Sequence, residues 1–166
     1  DDLLVEALGS PARLLVALDG IADPHILGAI ARSTAAFGGA GILLPARRSA
    51  GVTPAAWRAS AGAFASVEVA QVTNLARTLA AAQSQGFFVI GLAGDASASI
   101  TEVAQHFADV PVILAIGAEG DGLSRLLSER SDQLAQIPMP GGFESLNASV
   151  AAGIALFTIT AARELP

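Results

Sequence analysis

Three short segments hold the side chains that could do chemistry. In Asp19–Gly38 (DGIADPHILGAIARSTAAFG) a strand-like run ends in a Pro-containing loop and a helix begins near Ile26. Arg32 falls one to two turns into that helix, where a guanidinium offers a planar fork of donors that matches a phosphate. A solitary helix arginine is equally at home on any solvated surface. In Ile116–Leu123 (IGAEGDGL) three glycines fall within six residues, marking a loop whose backbone turns sharply or comes close to a ligand. Glu119 inside it, and the lack of a helix-start pattern after it, separate this loop from a dinucleotide fingerprint. A carboxylate there suits a cationic or hydroxyl-bearing ligand better than a pyrophosphate. In Ile137–Gly153 (IPMPGGFESLNASVAAG) a Pro-Gly-Gly loop leads to a long apolar stretch, with Ser145 and Asn147 at its entrance. Both are also residue types that cap helices for purely structural reasons.

The elements that must position these residues alternate along the chain. Short β-type runs recur at Leu14–Leu18, Gly41–Leu44, Val67–Val69, Phe87–Leu92, Val112–Ile116 and Ala135–Pro138. Helical spacing of apolar residues marks Ile26–Phe37, and Thr73–Gln83 opens on a Thr cap. Strands that are apolar without alternation are what a sheet covered on both faces needs, so the fold class is α/β with a parallel sheet. In such sheets ligands sit at the strand ends. The stretch Leu146–Glu164 is apolar or small almost throughout, and a helix of that kind must be buried on most sides, in a core or in an interface between copies.

Composition narrows the classes. The 166 residues suit one domain with a genuine hydrophobic core. There is no cysteine, which removes disulfides, thiolate nucleophiles and cysteine zinc sites, and points to a reducing, cytosolic compartment. His25 and His106 lack companions at ligand spacing, so no metal is expected. No apolar run approaches the roughly 20 residues of a membrane span. The chain opens without Met and without a leader pattern, as a trimmed fragment would. The net charge of −6 opposes nucleic-acid binding by the chain as a whole. Every basic residue is nonetheless an arginine, and Arg32, Arg47, Arg48 and Arg58 share one third of the sequence, which leaves room for a local basic face. Trp57 and the phenylalanines read as packing residues, because no aromatic cluster interleaves with basic ones.

Taken in order, the three segments resemble the signature motifs of the SpoU/TrmH family of RNA ribose methyltransferases in the SPOUT superfamily. The resemblance runs from about Leu14 to the last helix, and LLVALDGIADPH, RRSAGVTPAAWRASAGA and TNLARTL are similar to the 23S rRNA 2′-O-guanosine methyltransferase branch. It implies a SpoU/TrmH-type catalytic domain over the whole chain, 1–166, with a C-terminal trefoil knot, an exception to the rule against knotted chains. It also implies S-adenosyl-L-methionine as cofactor, RNA as substrate, and a homodimer formed through the knot region. The small N-terminal RNA-binding domain of many relatives is expected to be absent here.

Carried over residue by residue, the resemblance places cofactor contacts at Leu92, Ala93, Gly94, Ile116, Gly117, Glu119, Gly120, Ile137, Met139, Ser145, Leu146 and Asn147, many through backbone groups. Arg32, Glu119, Ser145 and Asn147 match the family's catalytic positions. A guanidinium keeps its proton far above neutral pH and is a poor base, so Arg32 is expected to hold the phosphate beside the target ribose and to offset alkoxide charge. Glu119, Ser145 and Asn147 would arrange the hydroxyl and the helix entrance. One position departs from the motif: Ile26 stands where the family has Asn, and Ile has neither donor nor acceptor. That leaves a non-catalytic RNA-binding or ribosome-assembly paralogue as the rival reading, and a generic nucleotide-binding domain as a third.

Overall fold

The computed structural model describes residues 1–163. Six parallel strands form one sheet: β1 (Leu14–Asp19), β2 (Gly41–Pro45), β3 (Glu68–Val72), β4 (Phe88–Leu92), β5 (Val112–Gly117) and β6 (Gln133–Ala135), in the order β3-β2-β1-β5-β4-β6. The parallel α/β class read from the unbroken apolar runs is the one observed. Strands β1 and β5, central in the sheet, are buried along nearly their whole length.

Successive strand residues feed two separate cores. Leu14, Val16 and Leu18 face helices α2 (Pro24–Ala36), α3 (Pro54–Ser60), α5 (Ile100–His106) and α7 (Ala148–Ala162). Leu15 and Ala17 face α1 (Asp2–Gly9), α4 (Leu75–Ser84) and α6 (Arg125–Arg130). This is the period-two alternation of a strand whose two faces are both covered.

Several boundaries differ from the pattern reading, each for a local reason. Helix α2 starts two residues before Ile26, because Asp23 accepts the His25 N–H as N-cap and Pro24 takes the first turn. Helix α4 is capped by Asn74, which accepts the Arg77 N–H, and not by Thr73. The third strand is Glu68–Val72 and not Val67–Val69. A single 3-10 turn at Ala63–Ala65 draws the Val67 N–H onto the Ala63 carbonyl, so Val67 is buried before the strand begins. The last strand is Gln133–Ala135 and not Ala135–Pro138, since Gln136 already donates to Ala98 across to the start of α5.

Close packing fixes the α2–α3 pair. A Cβ on Gly28 would lie 2.3 Å from the Ala56 carbonyl oxygen, so only glycine lets the two backbones meet. Helix α7 joins the same layer, with Phe157 edge-on to Phe37 at 5.8 Å. Its C-terminal end is pinned by Arg163, whose guanidinium donates to the carbonyls of Ala12, Arg13 and Val110. Burial, aided by the charge of Arg13, pushes Arg163 down to about 10, still far above neutrality, so it remains a cationic donor. Of the expected helix Leu146–Glu164, the structure shows Ala148–Ala162, and Glu164 lies outside the described residues.

Helix α7 is buried in the core along one face and open along another. Ala148, Ala152, Ala155, Leu156 and Ile159 are buried in the chain's own core, whereas Val150, Ile154 and Phe157 form an exposed stripe. No helix among the described residues is long and apolar enough to cross a membrane.

Candidate functional site

The chain leaves β6 at the edge of the sheet and returns over the carboxyl ends of β4 and β5 before α7 begins. Residues 136–147 thereby meet the loops that follow those two strands, and this return is the segment that the resemblance assigns to the knot. The three loops enclose a cavity of about 770 Å³, within the range of small-molecule sites.

Glycine geometry builds the loop after β5. A Cβ on Gly117 would fall 2.0 Å from the Gly122 carbonyl carbon and 2.3 Å from the Leu123 nitrogen. The loop closes on itself through Gly122 N–H donating to Ala118, with Gly120 and Gly122 at φ of +82° and +66°. A helix does follow this loop, contrary to the pattern reading: Ser124 caps α6 by accepting the Leu127 N–H. Asp19, at the end of β1, accepts the Ser124 N–H at 2.7 Å and holds the far side of the loop.

Glu119 links the second and third segments. Its Oε1 accepts the N–H of Ala148, the first residue of α7, at 3.0 Å. A carboxylate at a helix N-terminus satisfies an orphan donor and meets the positive end of the macrodipole. Asn147 is the N-cap proper, with Oδ1 accepting from the Ser149 backbone and hydroxyl.

The cavity wall contains Leu92, Ala93, Gly94, Ile116, Gly117, Glu119, Gly120, Ile137, Met139, Ser145 and Leu146, all singled out in the sequence. Asn147 does not line it; its carbonyl oxygen is turned to its own helix. Arg32 does not line it either. It is exposed two turns down α2, where it borders a shallow depression with Ser60, Gly62 and Ser66. One chain therefore brings together Glu119 and Ser145 and leaves Arg32 apart.

Sequence reasoning missed Asp95, Asp121 and Glu144, which also face the cavity, and Phe143 at its mouth, 79% exposed. With Glu119 they make four carboxylates around a cavity that has no Lys, Arg or His in its wall. Only the convergence of three loops distant in sequence reveals this acidic ring. Apolar walls at Leu92, Ile116, Ile137 and Leu146, free backbone groups in glycine loops, and negative charge at the rim fit a flat heteroaromatic ligand bearing a cationic group. S-adenosylmethionine, with its adenine, sulfonium and ammonium, has that chemistry. Among the described residues, no cluster of His, Asp and Glu could hold a metal ion.

A parallel sheet with helices on both faces and a cavity at the strand ends, closed by a chain that loops back before its last helix, defines the class: an α/β domain of SPOUT type. The SpoU rRNA Methylase family model matches residues 13–157, and the chain belongs to that family. A tRNA/rRNA methyltransferase of Mycobacterium avium is 55% identical over 163 residues, 98% of this chain and 52% of the relative. The chain thus spans about half the length of the curated relatives it matches. The SpoU methyltransferase AviRb from Streptomyces viridochromogenes, solved with the cofactor AdoMet, superposes with a TM-score of 0.81 at 26% identity, covering 90% of this chain and 60% of that one. An AdoMet-bound rRNA methyltransferase from Sinorhizobium meliloti gives 0.81 at 29%, covering 95% and 62%.

Proposed function

We propose that this chain is the catalytic domain of an S-adenosylmethionine-dependent methyltransferase that acts on a ribose 2′-hydroxyl of RNA, a guanosine of 23S rRNA. The observation that carries the reading is the acidic, glycine-looped cavity with no basic side chain in its wall. Family membership and the AdoMet-bound neighbours support it. The 23S target rests on the similarity of the quoted segments to that branch.

Bound there, the cofactor supplies a methyl group on a sulfonium, open to in-line attack by an oxygen nucleophile. The protein binds, orients and excludes water. Backbone groups of the 117–122 and 136–147 loops hold the adenosine, and the carboxylate ring offsets positive charge. Glu119 fixes the start of α7, so that Ser145 and Asn147 present their polar groups at a set height. The Asn147 amide NH₂ remains free for the substrate, because only its oxygen is used by the cap.

Arg32 binds the phosphate beside the target ribose. Its separation from the cavity of its own chain makes a homodimer the natural assembly. The exposed stripe Val150, Ile154 and Phe157 lies beside α2, and covering it with a second copy carries that copy's α2 toward the interface. An N-terminal RNA-binding domain would add phosphate affinity in a whole protein of the relatives' length.

A second reading is favoured by Ile26, which is half-buried against the core in place of a polar motif residue: a paralogue that keeps the cofactor and has weakened catalysis. Calorimetric titration with S-adenosylmethionine and its demethylated product, combined with methyl transfer to 23S rRNA fragments, separates the two. Binding with transfer supports the enzyme. Binding without transfer, restored by Ile26→Asn, supports the paralogue. No binding of either ligand refutes both.

A further inference from the structure

Residues 24–67 contain four arginines, Arg32, Arg47, Arg48 and Arg58, and no Asp or Glu; all fifteen carboxylates and the other five arginines lie elsewhere. That segment therefore carries +4 in a chain of net −6, leaving −10 on the rest. The block also packs as one unit, bounded by Asp23 at the cap of α2 and by Glu68 at the start of β3. Helix α2, strand β2, helix α3 and the 3-10 turn pack on one another, with Gly28 against Ala56 and Ser60. All four arginines are exposed, and none has a carboxylate partner among the described residues. The cavity has the opposite character, with four carboxylates and no base, so it repels the phosphates of the polymer whose ribose must reach it.

The loop between β2 and α3 lies on the same edge of the sheet as the cavity. Its Ala50 N–H donates to Ile21 at 2.7 Å and its Ala46 N–H to Val72 at 2.8 Å. Arg48 is held at φ +58°, in the left-handed region, with the Ser49 hydroxyl closing the turn onto the Pro45 carbonyl. One turn into α3 stands Trp57, 45% exposed, its ring set edge-to-face on Phe64 at 5.5 Å. It packs on Phe64, as the sequence reading has it, and is open to solvent as well. An indole propped by a neighbour, open to solvent and flanked by unpaired arginines is a platform on which a nucleobase stacks.

We infer that the acid-free block of α2, the β2–α3 loop and α3 is the docking surface for the single-stranded RNA flanking the target nucleotide, with Arg32, Arg47, Arg48 and Arg58 on successive phosphates and Trp57 stacked on a base. The inference rests on the methyltransferase reading and adds where the substrate lies. RNA is preferred to an acidic protein because it supplies both a phosphate for each arginine and a flat base for the indole, which acidic side chains do not.

The chain has one Trp and no Tyr, so its fluorescence reports on this surface alone. An unstructured RNA oligonucleotide is titrated into the protein at 50 and 200 mM salt, with polyaspartate as a polyanion lacking bases. Four phosphate contacts predict quenching of Trp57 and binding about 50-fold weaker at the higher salt. The double variant Arg47→Ala, Arg48→Gly keeps the left-handed turn; its salt dependence should fall to about 7-fold, with cofactor affinity unchanged. RNA binding without quenching and with an unchanged salt slope in the variant overturns the inference, as does failure of RNA to bind at 50 mM salt. So does equal quenching and tighter binding by polyaspartate, which would make the partner an acidic protein. In each of these cases intact cofactor binding leaves the methyltransferase reading standing, and its loss would sink that reading instead.

Discussion

Replacing Gly117 by Ala tests the cavity at its tightest point. The added Cβ would sit 2.0 Å from the Gly122 carbonyl carbon, 2.1 Å from its oxygen and 2.3 Å from the Leu123 nitrogen. All three atoms are backbone, so no side-chain rotation relieves the overlap. Reaching ordinary contact at 3.4 Å moves the loop by about 1.4 Å, in an interior that tolerates little displacement. Strand β5 is held on both sides, by β1 and β4, whereas the loop is closed by the single Gly122-to-Ala118 bond and the Asp19–Ser124 bond. The loop therefore gives way, at a cost of about 2–3 kcal/mol, as in overpacked sites. That cost falls on the geometry that holds the ligand. S-adenosylhomocysteine should bind about 30- to 150-fold more weakly by calorimetry, with the melting temperature lowered by about 4–12 °C. Gly141→Ala serves as control, since nothing lies within 4 Å of its Cβ and its φ is not left-handed. Wild-type affinity in the Gly117 variant would show that the loop is not closed as described, and the fit of ligand to cavity would lose its basis.

Glu119→Ala leaves the Ala148 N–H at the start of α7 without its acceptor; urea unfolding should show a loss of about 1–2 kcal/mol, with Glu119→Gln recovering most of it. Gly28→Ala drives a Cβ to 2.3 Å from the Ala56 carbonyl oxygen, and chemical denaturation should register at least about 3 kcal/mol; a smaller change would mean that α2 and α3 are not in backbone contact. Phe157→Glu places a charge in the exposed apolar stripe of α7. Light scattering should find the proposed dimer for the unaltered chain and a monomer for the variant, and equal masses would refute the proposed α7 interface.

The sequence by itself determined the layers. Apolar runs without alternation could only be strands buried on both sides, as Leu14–Asp19 and Val112–Gly117 are. Glycines at 117, 120 and 122 announced a tight loop, and two of them do take left-handed angles. These features are local, set by side-chain size and backbone freedom within a few residues. The edges were less legible: Asn74 displaced Thr73 as cap, and β6 ended at Ala135, because neighbours decide which of two competent residues caps and where an edge strand stops pairing. Only the tertiary structure decided the site. The order β5-β4-β6 brings Asp95, Asp121 and Glu144 into one acidic ring with Glu119, although up to 49 residues separate them in the chain. The packing of α2 on α3 likewise sets Arg32 away from that ring, beside Ser60 and Gly62. Charge converges or separates through long-range strand order and helix packing, which no window of sequence contains.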